Sequence, residues 1–130
     1  MDSTYSQFVE AGLTRKIIGC AMEVHRELGP GLLESVYRQC LMRELEVQRL
    51  PFVKEVKIPI TYKGLEIECG FRADLIVSNS IVVELKALEA LLPLHEAQLL
   101  TYLKLTKRRV GLLLNFNATS LKHGIRRLVR

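Results

Sequence analysis

The chain has no apolar run approaching the ~18 residues that cross a bilayer, which excludes a helical membrane protein. Its first residues, Met1-Asp-Ser-Thr-Tyr5, lack the basic and apolar segments of a secretory leader, so a cytoplasmic location is expected. Cysteine is scarce. Cys20, Cys40 and Cys69 have no metal-ligand spacing and sit among apolar neighbours, which reads as reduced core residues. There are no repeats, linkers or low-complexity stretches, and no dedicated DNA-reading motif. Acid is missing from one whole region. Through Glu96, fourteen acids face eleven Lys and Arg; from Ala97 to Arg130 there are eight Lys or Arg and no acid. Lys104, Lys107, Arg108 and Arg109 lie at one end of that region, with Lys122, Arg126, Arg127 and Arg130 at the other. Such one-sided charge favours a polyanion through phosphate contacts and counterion release. A solvated basic face with cations at helix C-termini is the competing reading.

What remains is ordinary globular material: 130 residues, 48% hydrophobic and 25% charged, expected to form one domain over residues 1–130. Ile17, Ile18, Ala21, Met22, Val24, His25 and Leu28 recur at helical spacing, predicting a helix from about 8 to 28. Leu28-Gly29-Pro30-Gly31 stops it, and a second helix is predicted from about 32 to 49, ended by Pro51. Val56, Ile58, Ile60 and Tyr62 alternate with polar residues as in a strand, which Pro59 places at an edge or bulge. Pro93 suits the first turn of a helix reaching about Lys107. Val110–Phe116 reads as a buried strand, and the tail from Thr119 as either a short helix or a final basic strand. The expected architecture is α/β: two helices, a β-meander, a crossover helix and a strand parallel to the last of the meander, in a mixed four-stranded sheet with a basic C-terminal element.

The segment Phe71–Lys86 is the chemical centre of the sequence. Two alternating apolar runs flank Ser78-Asn79-Ser80, the pattern of a β-hairpin. Leu65, Ile67, Cys69, Phe71, Ala73, Leu75 and Val77 form one odd-numbered set, and Ile81, Val83, Leu85 and Ala87 the other. Burying both sets together requires odd residues to pair with odd. A three-residue connection gives that register, pairing Val77 with Ile81 and hence Asp74 with Glu84. Arg72 then stands opposite Lys86, where it is positioned to pair with either carboxylate and make them structural. Two opposed carboxylates roughly 4.5–5.5 Å apart repel unless one is protonated or a cation lies between them. Hard oxygen ligands suit Mg²⁺, which polarises a phosphoryl oxygen and acidifies bound water. Lys86, on the same face as Glu84, is placed to hold the water or to neutralise charge on a phosphate. The plainer reading is a solvated face with cross-strand ion pairs.

The order Asp74, then Glu84-x-Lys86, resembles the active-site signature of the PD-(D/E)XK nuclease superfamily. It is accompanied by Gly31-x-x-Glu34-x-x-Tyr37, which resembles the defining motif of the GxxExxY protein family, and by Gln98-x-x-x-Tyr102. The similarity runs from about residue 14 to the C-terminus. It implies a restriction-endonuclease-like core and a Mg²⁺-dependent nuclease (Mn²⁺ as an alternative) acting on nucleic acid, DNA first. By this resemblance Asp74, Glu84 and Glu34 hold the metal, the Leu85 carbonyl is a further ligand, Lys86 manages the water, and Gln98 and Tyr102 position DNA and catalytic groups. Without it, Glu34 is half of an i,i+4 ion pair with Arg38, and Gln98 and Tyr102 are a backbone cap and a core ring. Lys104, Lys107, Arg108, Arg109, Arg126 and Arg127 are the candidate nucleic-acid contacts. His25 and His95 read as satisfied, partly buried residues, with a phosphate contact or a group supporting the site as the alternative for each; neither is placed in the primary site. A catalytically silent module on the same fold, binding nucleic acid or a partner, is the alternative. A core this small leaves a role for a homodimer or protein partner in holding duplex DNA.

Overall fold

The computed structural model describes residues 9–68 and 70–130, so the leader reading at Met1–Tyr5 and the Cys69 thiol lie outside the described residues. Helix α1 (Ala11–Leu28) buries Ile17, Cys20, Ala21 and Val24 on one face and stops at Gly29, whose φ of 66° few side chains tolerate. Helix α2 (Glu34–Val47) buries Tyr37, Leu41 and Leu45, spaced four apart down a single stripe. The two helices pack together on one face of a sheet.

Among the described residues seven strands follow: β1 (Phe52–Lys57), β2 (Ile60–Tyr62), β3 (Leu65–Ile67), β4 (Arg72–Val77), β5 (Ile81–Lys86), β6 (Val110–Asn115) and β7 (Ile125–Val129). Helix α3 (Pro93–Thr106) crosses from β5 to β6, which run parallel, as the sequence predicts. The main sheet has the order β1-β4-β5-β6-β7, and β2-β3 is a separate small hairpin. The expectation of four strands is therefore corrected to five plus a hairpin. Two breaks account for the hairpin, and the C-terminal tail supplies the fifth strand. The strand predicted across 56–62 breaks at Pro59, which cannot donate to a ladder; the run from Leu65 breaks before Arg72, with Gly70 at φ 74°. The basic tail resolves into a 3₁₀ turn, Leu121–Gly124, and then β7, an antiparallel edge strand on β6. Lys63 and Gly64, both at positive φ, form the two-residue turn between β2 and β3 that matches strand twist.

The hairpin register is the predicted one: Val77 pairs with Ile81, Ile76 with Val82 and Leu75 with Val83. Both faces of β4 and β5 are covered. Leu75, Val77, Ile81, Val83 and Leu85 pack with α1 and α2, while Ile76 and Val82 pack with Leu99, Tyr102 and Leu103 of α3. The result is a three-layer α/β/α arrangement. One expectation fails instructively. Ala73 joins the α3 side instead of continuing the odd face, and its partner Val56 does the same, although Phe52 on β1 packs on the α1–α2 side. Both strands exchange faces between Lys54/Leu75 and Val56/Ala73, where Glu55 takes a left-handed φ of 50°. Asp74 sits at that exchange point. Gly111 lets α3 approach β6, since a Cβ there would lie 3.0 Å from the Leu99 side chain.

Candidate active site

At the exchange point the β4–β5 pairing passes from backbone to side chains. Glu84 Oε1 accepts the Asp74 N–H at 2.7 Å, and Asp74 Oδ2 accepts the Leu85 N–H at 2.8 Å. Each carboxyl group is thus anchored to the backbone of the other's strand. These bonds fix the pair near the C-terminal end of β5, where ligands bind in sheets with parallel strands.

Glu84 is only 6% exposed. Burial, then the neighbouring Asp74 charge, pushes its carboxyl up to about 8; the Asp74 N–H and Lys86 pull the other way, and Glu34 adds to the rise. Glu34 opens helix α2, and its carboxyl is also raised, first by burial and then by Asp74, with Lys86 and Arg38 opposing. Glu34, Asp74, Glu84, Lys86 and Arg38 therefore share one electrostatic neighbourhood, one end of which arrives on a helix far away in sequence. Among the described residues, no three Asp, Glu, His or Cys side chains converge into a ready-made cation cage. The donor set instead suits a hard cation that keeps much of its water.

Arg38 is the participant that sequence reasoning missed. Its Nη1 lies 3.1 Å from Asp74 Oδ1, with both side chains mostly buried. It reaches Asp74 rather than closing an i,i+4 pair with Glu34. Arg72, the cation suspected of neutralising the carboxylates, is exposed, pairs with Lys57 across β1, and makes no ion pair with Asp74 or Glu84 among the described residues. A basic residue one turn after Glu34 was the available signal for Arg38.

The spacing Gly31-x-x-Glu34-x-x-Tyr37 has a structural reason. The Tyr37 hydroxyl donates to the Gly29 carbonyl at 2.6 Å and accepts the Leu32 N–H at 3.1 Å, while its ring stacks on Phe116 with centroids 4.8 Å apart. Gly31, at φ 104°, donates its N–H to Asn117 Oδ1 at 3.0 Å. Tyr37 thereby pins the loop that presents Glu34. Asn115, 3% exposed, works similarly: its amide bonds both the N–H and the carbonyl of Leu88 at 3.0 Å and holds the chain leaving β5. An Asn at the end of an otherwise apolar strand was the signal for that role.

Lys86, Gln98, Tyr102 and His95 line one cavity, so the structure brings the Gln-x-x-x-Tyr face of α3 beside the lysine. His95 Nδ1 accepts the Leu92 N–H at 2.9 Å and caps α3. His25 Nε2 is hydrogen-bonded to the Ala118 carbonyl at 2.8 Å, a structural contact. The basic residues lie elsewhere. Lys107, Arg108 and Arg109 flank Asn79 and Ser80 at the opposite end of β5, and Arg108 bonds Asn79 Oδ1 at 2.6 Å and the Thr106 carbonyl at 2.9 Å. Arg127 bonds the Val9 carbonyl, Arg126 bonds the His123 carbonyl at 3.0 Å and lies 4.0 Å from Glu96, and Lys104 occupies the last turn of α3. None of the six lines the cavity beside Lys86.

No curated protein and no solved structure gave a significant match to the chain. A family model did: that of the PD-(D/E)XK nuclease superfamily, over residues 11–128.

Proposed function

The chain belongs to the PD-(D/E)XK nuclease superfamily, and from that premise we propose that it hydrolyses phosphodiester bonds in DNA with Mg²⁺ or Mn²⁺. Within the superfamily, the spacing of Gly31, Glu34 and Tyr37 supports a place in the GxxExxY group. The observation that carries the reading is the buried, mutually anchored Asp74–Glu84 pair with Lys86 two residues on. A carboxyl held near 8 by its surroundings is a group waiting for positive charge. Asp74 and Glu84, with Glu34 approaching from α2, would hold the cation. When bound, it would acidify a water and draw charge from the phosphoryl oxygens.

The remaining work belongs to the protein's own groups. The backbone N–H bonds keep the two carboxylates oriented without help from solvent. The Lys86 ammonium attracts the scissile phosphate and holds the attacking water. Gln98 and Tyr102, fixed on one face of α3, orient the strand against Lys86. No helix among the described residues is long and apolar enough to cross a membrane. The free thiols of Cys20 and Cys40 support a cytoplasmic location.

One observation favours the second reading, a silent binding module: Arg38 already neutralises Asp74 at 3.1 Å. Thermal melting with Mn²⁺ or Mg²⁺ separates the two. A cation that binds the folded state raises stability by mass action. The nuclease reading expects a rise in wild type that is absent in Asp74→Asn/Glu84→Gln. Equal behaviour of the two proteins would favour the silent module.

A further inference from the structure

The cavity beside Lys86 has a volume of about 520 Å³, within the roughly 300–1,000 Å³ of small-molecule sites. Its character differs from that of the carboxylate centre it adjoins. Ile60, Phe71, Leu94, Tyr102 and Leu105 supply apolar walls, and no acidic residue among those described lines it. Phe71 is 44% exposed and Leu94 is 72% exposed. Exposed apolar surface beside a charged centre calls for an occupant with an apolar body. The Phe71 ring leans on Tyr102, with centroids 6.3 Å apart and planes at 50°, and the Phe71 carbonyl accepts the Ile58 N–H at 2.9 Å. The aromatic wall is therefore held at its backbone, with part of the Phe71 ring left open.

Polar groups are few and are of a kind that reads a base edge. Gln98 offers both a donor and an acceptor. His95 has its Nδ1 committed to the Leu92 N–H, so in the neutral ring the proton sits on Nε2, a donor. Lys86 forms part of the same lining and supplies the positive charge that a phosphate attached to the occupant requires.

We infer that this cavity takes an unpaired nucleobase of the substrate strand, stacked on Phe71 while its phosphate lies at Lys86. The inference rests on the proposed nuclease reading and extends it to a substrate class: single strands or frayed ends, in preference to fully paired duplex. A paired base reaches such a cavity only by leaving the helical stack. An unpaired base arrives without that cost, and stacking tolerates any of the four bases.

The test is fluorescence anisotropy in a Glu84→Gln background, which does not cleave, using one labelled DNA sequence as a single strand and as a fully paired duplex. Phe71→Leu keeps an apolar side chain but removes the π face, and Phe71→Trp restores it. The expected result is single-strand binding about tenfold tighter than duplex binding. That preference should be lost in Phe71→Leu at unchanged melting temperature and retained in Phe71→Trp. Equal affinity for both DNA forms, or a Phe71→Leu variant that keeps the preference, overturns the nucleobase site and leaves the nuclease reading standing. Failure of both DNA forms to bind overturns both.

Discussion

Replacing Glu84 with Gln exchanges a buried, titrating carboxyl for a neutral group of nearly the same shape. The Gln Oε1 still accepts the Asp74 N–H, which Glu84 accepts at 2.7 Å, so the substitution isolates the effect of charge. In the folded protein Glu84 titrates at about 8, against 4.5 for the free side chain. Between those two values the folded state binds more protons than the unfolded chain, so the Glu84 contribution to stability falls as pH rises through that window. At pH 7.5 the unfolded carboxyl is ionised and the folded one is largely not, a difference worth up to about 4 kcal/mol at ~1.4 kcal/mol per pH unit. Glu84→Gln should therefore be more stable than wild type at pH 7.5 in EDTA, by on the order of 2–4 kcal/mol, or roughly 10 °C in melting temperature. The gain should shrink toward zero as pH falls to about 4.5 and level off above pH 8. Urea denaturation of both proteins between pH 4.5 and 9 measures it. A variant less stable than wild type at pH 7.5, or a difference that does not change with pH, would refute the reasoning. Either result would mean that Lys86 and Arg38 already balance an ionised Glu84.

Three further substitutions probe the neighbouring groups. Arg38→Gln removes the ion pair at 3.1 Å from Asp74 Oδ1; Mn²⁺ should then bind about fivefold tighter by calorimetry, the equivalent of a roughly 1 kcal/mol ion pair. Weaker Mn²⁺ binding would show that Arg38 supports the site instead of competing for it. Lys86→Ala should leave Mn²⁺ affinity intact or improved, because a cation is removed, while cleavage falls by roughly 10²–10³-fold. Tyr37→Phe strands the Gly29 carbonyl and the Leu32 N–H, costing about 1–3 kcal/mol in chemical denaturation and lowering cleavage through the freed Glu34 loop.

Which parts were legible in the sequence follows from the range of the forces involved. Helix stripes and the hairpin register are written in local periodicity. Val77 had to meet Ile81 because a one-residue slip would turn Leu75 and Val83 outward. The meeting of Asp74 and Glu84 came with that register. The exchange of faces at Glu55 and Asp74 was not legible, because it depends on a left-handed residue at position 55 of a different strand. Nor was the fifth strand: the Ile125–Val129 edge is fixed by pairing with β6, while its own residues suit either a helix or a strand. Arg38 was read as Glu34's partner because i,i+4 geometry is local; its attachment to Asp74 needs α2 laid across the sheet. Tyr37, by contrast, was found by resemblance, and its two hydrogen bonds to the Gly29–Leu32 loop supply the physical reason for the spacing.

The most direct test of the central claim is cleavage itself. Single-stranded and duplex DNA, with an RNA control, would be incubated with purified wild type and with Asp74→Asn, Glu84→Gln and Lys86→Ala, in Mn²⁺, in Mg²⁺ and in EDTA. The account predicts cation-dependent shortening of DNA by wild type, silence in EDTA, and loss in all three variants. Intact DNA under every condition, from a wild-type protein whose melting temperature does not respond to either cation, would contradict it.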